Sequence, residues 1–275
     1  MPGVHELREA EHTPDAPEHS PRYGAHHKAH RRATTLEYIE SFVVTVLLAL
    51  FGTTFVVQAF KIPSRSMEPT LLVGDHLLVD KFIFGGRGHW YDHFLPYRDV
   101  QRGDVIVFPY PYDDHPYYVK RAIGLPGDRI KIVNQTVYID GAPLKEPYAY
   151  HDPSIPYDPF AANFPPRNIE EFDPSMRPEW AAQILSYVHN GELVLPPGKY
   201  FAMGDNRDDS SDSRYWGFVD REGILGRPIV IYWSVQSSEA DSGGGSLGAE
   251  VLDMLDALIH LPARTRGDRI LRRVH

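Results

Sequence analysis

The sequence contains no cysteine among its 275 residues. Disulfide bonds, thiolate metal sites and a cysteine nucleophile are therefore excluded. Basic residues are also in deficit, since 28 lysines and arginines stand against 37 aspartates and glutamates, for a formal net charge of -9. A nucleic-acid-binding protein normally shows a basic face, so this charge argues against a nucleic-acid partner. A chain of this length can hold one large domain or one domain with a sizeable insertion.

One segment is far more apolar than the rest of the chain. Phe42 to Phe60 is a run of 19 residues without a charge. As a helix it would span about 29 Å, close to the roughly 30 Å of a bilayer core. A cleaved signal sequence has a shorter apolar stretch nearer the N-terminus, and a buried core helix is rarely so uniformly apolar. The segment therefore predicts a permanent transmembrane anchor, over residues 37–60.

The residues before the anchor are rich in His, Pro, Glu and Arg and predict a disordered cytoplasmic tail over 1–36. Basic residues are more numerous before the anchor than just after it, where Lys61 and Arg65 lie. This bias places the N-terminus in the cytoplasm and most of the chain beyond the membrane. Without ordered partners for the imidazole rings we predict no metal site, although the tail contains His5, His12, His19, His26, His27 and His30.

After the anchor, short apolar runs separated by Gly, Pro, Asp and Asn predict a mainly β domain. Asp140-Gly141 follows one such run and signals a hairpin turn. Residues 146–178 are dense in Pro, Tyr, Asp and Asn, which indicates an irregular insertion, and Pro178–His189 is the plausible helix beside it. The predicted strands are His76–Phe84, Asp104–Phe108, Tyr117–Ile123, Arg129–Val133, Thr136–Ile139, Tyr200–Met203 and Pro228–Trp233.

The first motif that could carry out a reaction runs from Ile62 to Leu71 and contains two serines, Ser64 and Ser66. A serine in a proline-bounded loop is most often a turn residue or a helix N-cap. Here the loop starts just beyond the anchor, and its flanking residues are apolar enough to line a pocket. The position near the membrane and the apolar flanks make these serines candidates for a functional site.

The second motif, Tyr117 to Asp128, contains Lys120 within a predicted strand. Because side chains alternate between the faces of a strand, Lys120 shares its face with Tyr118 and Ala122. A lysine in such a run usually extends its ammonium group to water. If Lys120 is buried instead, desolvation lowers its pKa and supplies the neutral amine that a general base requires. A serine hydroxyl needs such a base, since it is a weak nucleophile alone.

The third motif, Gly204 to Gly217, is rich in Asp, Asn and Ser. A calcium loop is the first alternative, but the central glycine and terminal glutamate of an EF-hand are missing at their positions. Arg207 and Arg214 alternate with the carboxylates, which favours internal ion pairs over a cation cage. The loop therefore offers hydroxyls and carboxylates that could orient a buried amine.

These three stretches, with the Arg102–Phe108 run between the first two, closely resemble type I signal peptidases. They occur in the order typical of that family, behind an apolar segment, and together they cover the chain from about residue 38 to 233. A single S-x-S-M sequence would be weak evidence. Four motifs in order are specific.

The resemblance implies a role for each matching residue. Ser66 matches the family's nucleophile and Lys120 its general base, which together form a Ser/Lys dyad. Ser64 matches the hydroxyl that completes the oxyanion hole with the backbone N–H of Ser66, and Ser210 the hydroxyl that orients the lysine. The charged residues that buttress the site match Arg121, Asp205, Asp212 and Arg214. The shallow apolar pockets for small residues before the cut match Phe60, Ile62, Met67, Leu71, Tyr118 and Val119.

The implied fold is mainly β: an antiparallel β-barrel-like catalytic domain formed by residues 61–128 and 200–236, with an inserted, smaller and irregular β-rich domain over 129–199. Residues 237–275 are predicted to be a flexible linker, then an amphipathic helix over Leu247–Leu261 and a basic tail. The implied protein is a monomeric membrane-bound endopeptidase that needs no cofactor. It removes signal peptides from exported preproteins on the extracytoplasmic side of the bacterial plasma membrane.

Two alternatives and one departure from the family pattern remain. A soluble Ser–Lys peptidase of the self-cleaving repressor type is disfavoured by the anchor and the acidic charge. A membrane-tethered, non-catalytic peptide-binding relative is disfavoured by the intact Ser66, Lys120 and Ser210.

Asp209 stands where the family commonly has Asn and adds a negative charge beside Ser210. We expect the site to function if Asp209 faces solvent, whereas facing Lys120 it would favour the charged ammonium.

Overall fold

The computed structural model describes residues 23–52, 57–84, 97–112, 117–236 and 264–275. The chain divides into two compact units, Met1–Leu50 and Phe51–His275. Helix α1, Tyr23–Phe51, accounts for the described part of the first unit. The second unit is mainly β, and its sheets are antiparallel, as the sequence predicts.

Helix α1 corrects the predicted boundaries of the N-terminal segments. The tail predicted to be disordered over 1–36 is helical from Tyr23 onward, because this stretch lacks proline and is rich in the strong helix formers Ala and Arg. Residues 1–22, with three of the tail histidines, lie outside the described residues. Among the residues described, no helix is both long enough and apolar enough to cross a bilayer.

The predicted anchor over residues 37–60 does not form one continuous helix. Strand β1, Val57–Lys61, begins within it and pairs antiparallel with strand β2, Asp75–Asp80. A uniformly apolar run is compatible with a helix and with a strand, and periodicity cannot separate the two. The partner strand decides the outcome for these residues, because it satisfies their backbone groups.

Among the described residues, the β structure consists of two four-stranded sheets and one five-stranded sheet. The first sheet has the order β1-β2-β12-β13, the second β11-β10-β4-β3 and the third β7-β6-β5-β9-β8. The remaining strands are β3 Val105–Phe108, β4 Tyr118–Gly124, β5 Arg129–Val133, β6 Thr136–Ile139, β7 Ala142–Pro143, β8 Val188–His189, β9 Glu192–Val194, β10 Lys199–Met203, β11 Val219–Asp220, β12 Arg227–Ser234 and β13 Arg272–Arg273.

Each of the predicted strands is present, with ends shifted by a few residues. The predicted hairpin turn is also confirmed, since β6 and β7 pair across Asp140 and Gly141, whose φ values are 51° and 78°. Positive φ at both central residues is the geometry that a two-residue hairpin requires, and Asp-Gly adopts it readily. The barrel-like closure of the catalytic domain stays a prediction.

Residues between β4 and β10 form the whole of the third sheet, together with three short α-helices and one 3-10 helix, Ile169–Glu171. The predicted helix Pro178–His189 is wrong as a single element. It consists of helices α3, Pro178–Ala181, and α4, Ile184–Tyr187, followed directly by β8. Helix α2, Pro159–Ala162, begins after Asp158, whose side chain accepts a hydrogen bond from the Phe160 N–H as an N-cap.

The C-terminal residues also differ from the prediction. The predicted linker and the predicted amphipathic helix over Leu247–Leu261 lie outside the described residues. The predicted basic tail is not a free extension, because β13 pairs with β12 through Arg272 and Arg273 and the Val274 side chain is buried. Pairing with β12 satisfies backbone groups that a free tail would leave to water.

In the part of the chain that the structure describes, three clusters of buried side chains form the core, and one of them lies beneath the first motif. That cluster joins Ile62, Met67 and Leu71 to residues from β2, β3, β12 and the C-terminal segment. Burying a large aliphatic side chain stabilises a fold by roughly 1.5–3 kcal/mol. The loop that carries Ser66 is therefore fixed by apolar packing on the side away from solvent.

Candidate active site

Ser66 lies in a 3-10 helical turn, Arg65–Met67, that begins after Ser64. The Met67 side chain next to it is almost completely buried, which fixes the direction of the turn. The backbone oxygen of Ser66 accepts a hydrogen bond from the N–H of Asn206, at 3.1 Å. The first and third motifs, which are 140 residues apart in sequence, therefore meet at the backbone of this serine.

Lys120 lies in β4, where it pairs with Ile106 of β3, and its side chain is only 2% exposed. Its Nζ atom lies 2.5 Å from Ser66 Oγ. Burial lowers the pKa of Lys120 from 10.5 to about 8, although the negative charge of Asp212 acts in the opposite direction. The structure thus brings together a serine hydroxyl and a buried amine that loses its proton near pH 8.

Two buried ion pairs surround this contact. Arg121 donates to Asp205 from Nε at 2.7 Å and from Nη2 at 2.6 Å. Arg214 makes the same type of two-point contact with Asp212, with both distances at 2.8 Å. Burial opposes ionisation of Asp212, but the contacts with Arg214 outweigh it and lower the pKa of this carboxyl. The prediction of internal ion pairs in the third motif is confirmed for Arg214, which pairs with Asp212, whereas Arg207 pairs with Glu146 outside the motif.

Ser64 and Ser210, the other two serines of the predicted site, differ in whether their hydroxyls contact the catalytic pair. Ser64 Oγ lies 3.4 Å from Ser66 Oγ, at the edge of hydrogen-bonding distance. Ser210 Oγ is buried, and within the described part of the chain it has no hydrogen-bond partner. The predicted contact between Ser210 and the amine of Lys120 is therefore absent. Ser210 packs instead beside Gly204, where an added Cβ would lie 2.3 Å from Ser210 Oγ and 2.4 Å from the Ser66 backbone oxygen.

A cleft of about 410 Å³ opens at the Ser66–Lys120 contact. Five of the six predicted pocket residues line it: Phe60, Ile62, Met67, Tyr118 and Val119. The prediction for Leu71 is wrong. Its side chain is fully buried among Leu77, Ile231 and their neighbours, because the chain turns inward after the 3-10 helix.

Asp209, which departs from the family pattern, also lines the cleft. Its carboxylate is exposed, and Oδ2 lies 3.7 Å from Nη1 of Arg65. It has only a minor influence on Lys120, whose pKa it raises slightly in comparison with the effect of burial. Of the two orientations considered for Asp209, the structure thus shows the solvent-facing one, beside an arginine.

Several residues at the site have no counterpart in the sequence-based prediction. Thr70 Oγ1 donates to Asp205 Oδ2 at 2.5 Å, and the Tyr148 ring lies under the Arg121 guanidinium, 4.0 Å away. Arg269, near the end of the chain, donates to both oxygens of Asp75 and to the backbone oxygen of Thr70. Of these residues, Thr70 could have been found from the sequence, because it lies within the first motif. The contacts of Arg269 join distant parts of the chain, so no local sequence pattern indicates them.

Comparison with known proteins agrees with this geometry. The family model described as signal peptidase, peptidase S26, matches residues 35–233. Signal peptidase I of Pseudomonas fluorescens is 35% identical over 219 residues, 75% of this chain and 75% of that protein. Signal peptidase I of Aquifex aeolicus is 33% identical over 229 residues, 72% of this chain and 84% of that protein.

Among solved structures, a signal peptidase I from Enterococcus faecalis matches with a TM-score of 0.34 and 30% identity, covering 47% of this chain and 97% of that one. The family match covers all three motifs, from the serine loop to the Asp-rich loop. The chain therefore belongs to the signal peptidase family, peptidase S26.

Proposed function

We propose that this protein removes N-terminal signal peptides from exported preproteins, with Ser66 as nucleophile and Lys120 as general base. The observation that carries the proposal is the 2.5 Å contact between Lys120 Nζ and Ser66 Oγ in a cleft that is apolar on one side. A base must lie within hydrogen-bonding distance of the proton it removes, and this pair satisfies that requirement.

The reaction is an acyl transfer in two steps. Neutral Lys120 takes the proton of Ser66 Oγ, which attacks the carbonyl carbon of the scissile bond and forms an acyl-enzyme as the amine product leaves. Lys120, now protonated, can donate that proton to the leaving amine. A water molecule deprotonated by Lys120 then attacks the acyl carbon and releases the signal peptide from Ser66. The low pKa of Lys120 makes the neutral amine available for both steps.

The negative oxygen of the tetrahedral intermediate needs hydrogen-bond donors. The backbone N–H of Ser66 is one candidate, because the first amides of a helical turn have no partner within that turn. The Ser64 hydroxyl is the second, since it lies 3.4 Å from Ser66 Oγ. One such donor is typically worth about 3–4 kcal/mol of transition-state stabilisation. Ser64 is exposed, so its hydroxyl is free to rotate toward the oxyanion.

The charged residues behind the dyad act as fixed supports. Asp212 and Arg214 neutralise each other, and Asp212 also accepts a hydrogen bond from the Gly204 N–H at 3.1 Å. Arg121 and Asp205 also neutralise each other, and Asp205 accepts a hydrogen bond from the Thr70 hydroxyl. We propose that these pairs hold the chain around Ser66 and Lys120 without contacting substrate. The role of Ser210 in orienting Lys120 stays a prediction, and it requires a rotation from the observed position.

The shape of the cleft supports an extended peptide as substrate. Strand β1 lies at the end of its sheet, and β10 covers β4 only from Arg121 to Gly124. Within the described residues, Val119 and Lys120 therefore pair with β3 alone. A peptide strand can add to such edges through backbone hydrogen bonds, while pockets between them select the side chains. The nearly buried Ile62 and Met67 give this part of the cleft an apolar surface, which suits the small apolar residues that we propose bind before the cut.

We also propose that the protein works at the bacterial plasma membrane, with its catalytic unit on the extracytoplasmic side. The support is that helix α1 exposes large apolar side chains all along its second half, which is unusual for a helix in water. They are Phe42, Val43, Val44, Val46, Leu47, Leu48 and Leu50. A signal peptide emerges at that same membrane, so attachment brings enzyme and cleavage point together.

The test of this function is processing of a preprotein that carries alanine at the positions one and three residues before the cut. We expect the purified protein to cleave directly after the alanine that is one residue before the cut. Phenylalanine in place of either alanine should abolish cleavage. We also expect a β-lactam-type acylating probe to label Ser66, as seen by peptide mass spectrometry. Binding of the preprotein with neither cleavage nor labelling would establish the non-catalytic peptide-binding alternative.

The pH dependence of the reaction is a separate prediction. Because the active form of Lys120 is the neutral amine and its pKa is about 8, kcat/KM should fall about tenfold per pH unit below that value. Above pH 8 it should be constant. The measurement is kcat/KM on a peptide substrate from pH 6 to pH 10. A rate that kept rising up to pH 10 would mean that Lys120 titrates as an ordinary exposed lysine.

A further inference from the structure

The residues that line the cleft fall into an apolar group and a charged group. The rings of Phe60 and Tyr117 contact each other, with 5.2 Å between their centroids. On one wall the chain runs from Phe60 to Ser66, and on the other it runs from Tyr117 to Lys120, so both aromatic residues precede the catalytic pair. The charged group lies beside that pair and contains Arg65 and Asp209, with the uncharged hydroxyl of Ser211 next to them. Lys61, between Phe60 and Ile62, is a further cation that lines the cleft.

The charged group carries more negative than positive charge. Arg65 is surrounded by three carboxylates, with contacts to Glu68 at 3.2 Å, Asp152 at 3.5 Å and Asp209 at 3.7 Å. Around Arg65, one cation stands against three anions, which is a local surplus of two negative charges. Lys61, which also lines the cleft, offsets one of them. Asp209 is the carboxylate of this set that lines the cleft itself.

These contacts contribute little to holding the fold together. The side chains of Arg65 and Asp209 are 45% and 44% exposed, and ion pairs at such exposed positions stabilise proteins only weakly. A charge at the mouth of a cleft does have a large effect on which charged ligands enter and how they orient. Their placement beside Ser66 is therefore better explained by substrate selection than by stability.

We propose that Asp209, with Arg65 and Asp152, selects substrates by charge and favours basic over acidic residues just after the cut. The proposal rests on the function proposed above, in which the apolar group receives the small residues before the cut. The residues that follow the cut then leave the dyad on the side of Arg65 and Asp209. A lysine or arginine there meets the surplus negative charge, whereas an aspartate or glutamate is repelled by it.

The experiment compares two preproteins that differ only in the first two residues after the cut, which are Lys-Lys in one and Glu-Glu in the other. We expect the wild-type protein to process the lysine substrate with a kcat/KM about tenfold higher. Asp209→Asn should reduce this ratio to about threefold, and Asp152→Asn combined with Asp209→Asn should abolish it. Arg65→Gln should increase the ratio, because it removes the cation that offsets the carboxylates.

The ratio is the informative quantity, because Asp209 also influences Lys120 and that effect is the same for both substrates. Asp220→Asn, at an exposed carboxylate paired with Lys199 away from the cleft, is the matched control and should leave the ratio unchanged. In 1 M salt the ratio should approach one, since the screening length falls to about 3 Å.

Failure of the inference and failure of the proposed function give different results. If neither preprotein is cleaved, the function itself is wrong. If both are cleaved at the expected bond with equal kcat/KM, the function stands and charge selection is refuted. An unchanged ratio in Asp209→Asn, or a lower ratio in Arg65→Gln, would equally refute it.

Discussion

Ser66→Ala and Lys120→Met are each expected to lower kcat/KM on a preprotein by about 10⁴-fold. The first removes the atom that attacks the carbonyl, and the second removes the amine that activates it. Because the two groups act as one unit, through a single 2.5 Å contact, the double variant should lose no more activity than either single variant. The measurement is single-turnover cleavage of a labelled preprotein by each purified variant.

Methionine is the suitable replacement for Lys120 because it has similar length and no charge, and the site is almost completely buried. The variant should therefore fold, and its Tm should match or exceed that of the wild type. The matched control is Lys131→Met, at an exposed position on β5, which should keep full activity. Multiplicative losses in the double variant would contradict the dyad, because they would mean that Ser66 and Lys120 act independently.

Arg269→Met is expected to lower the free energy of unfolding by about 3 kcal/mol and the Tm by about 6–12 °C. Arg269 is 4% exposed and donates to Asp75 at 3.0 and 2.5 Å. Without the guanidinium, the fully buried carboxylate of Asp75 loses its closest cation while remaining away from water. Differential scanning calorimetry of the purified protein measures both quantities.

The matched control for that prediction is Arg272→Met, three residues later in the same segment and exposed. It should change the Tm by no more than a degree or two. Arg269→Lys should lie between the two, because an ammonium group can reach Asp75 but cannot make the two parallel contacts of a guanidinium. Equal Tm values for Arg269→Met and Arg272→Met would show that the C-terminal segment is not part of the stable core.

The features that could be predicted from sequence are those encoded by neighbouring residues. The Asp140-Gly141 turn and the strands on either side of it follow from local periodicity and turn chemistry. The alternation of faces in β4 raised the possibility that Lys120 is buried. Periodicity did not pair that lysine with Ser66, since the pairing came from resemblance to a family. The structure adds the distance between them.

The features that could not be predicted depend on contacts between distant residues. Leu71 matches a pocket position of the family by its place in the first motif. The inward turn of the chain after Met67 places it in the core instead. The Arg65–Asp209 contact joins two loops whose relative position depends on the packing of β4 and β10. The run from Phe42 to Phe60 contains the start of β1 because a partner strand is available, which an apolar pattern does not reveal.

The docking of the C-terminal segment bears on the order in which the protein acquires activity as it is made. Arg269 and Asp75 are separated by 194 residues in the chain, and the sheet that contains β1 and β2 is completed only by β13. Contacts over such distances form late in folding, because the intervening loop must close first. A nascent chain can form the third sheet early, but the support beneath Ser66 has to wait for residues 264–275 to be synthesised. Peptidase activity should therefore appear only after these residues have left the ribosome.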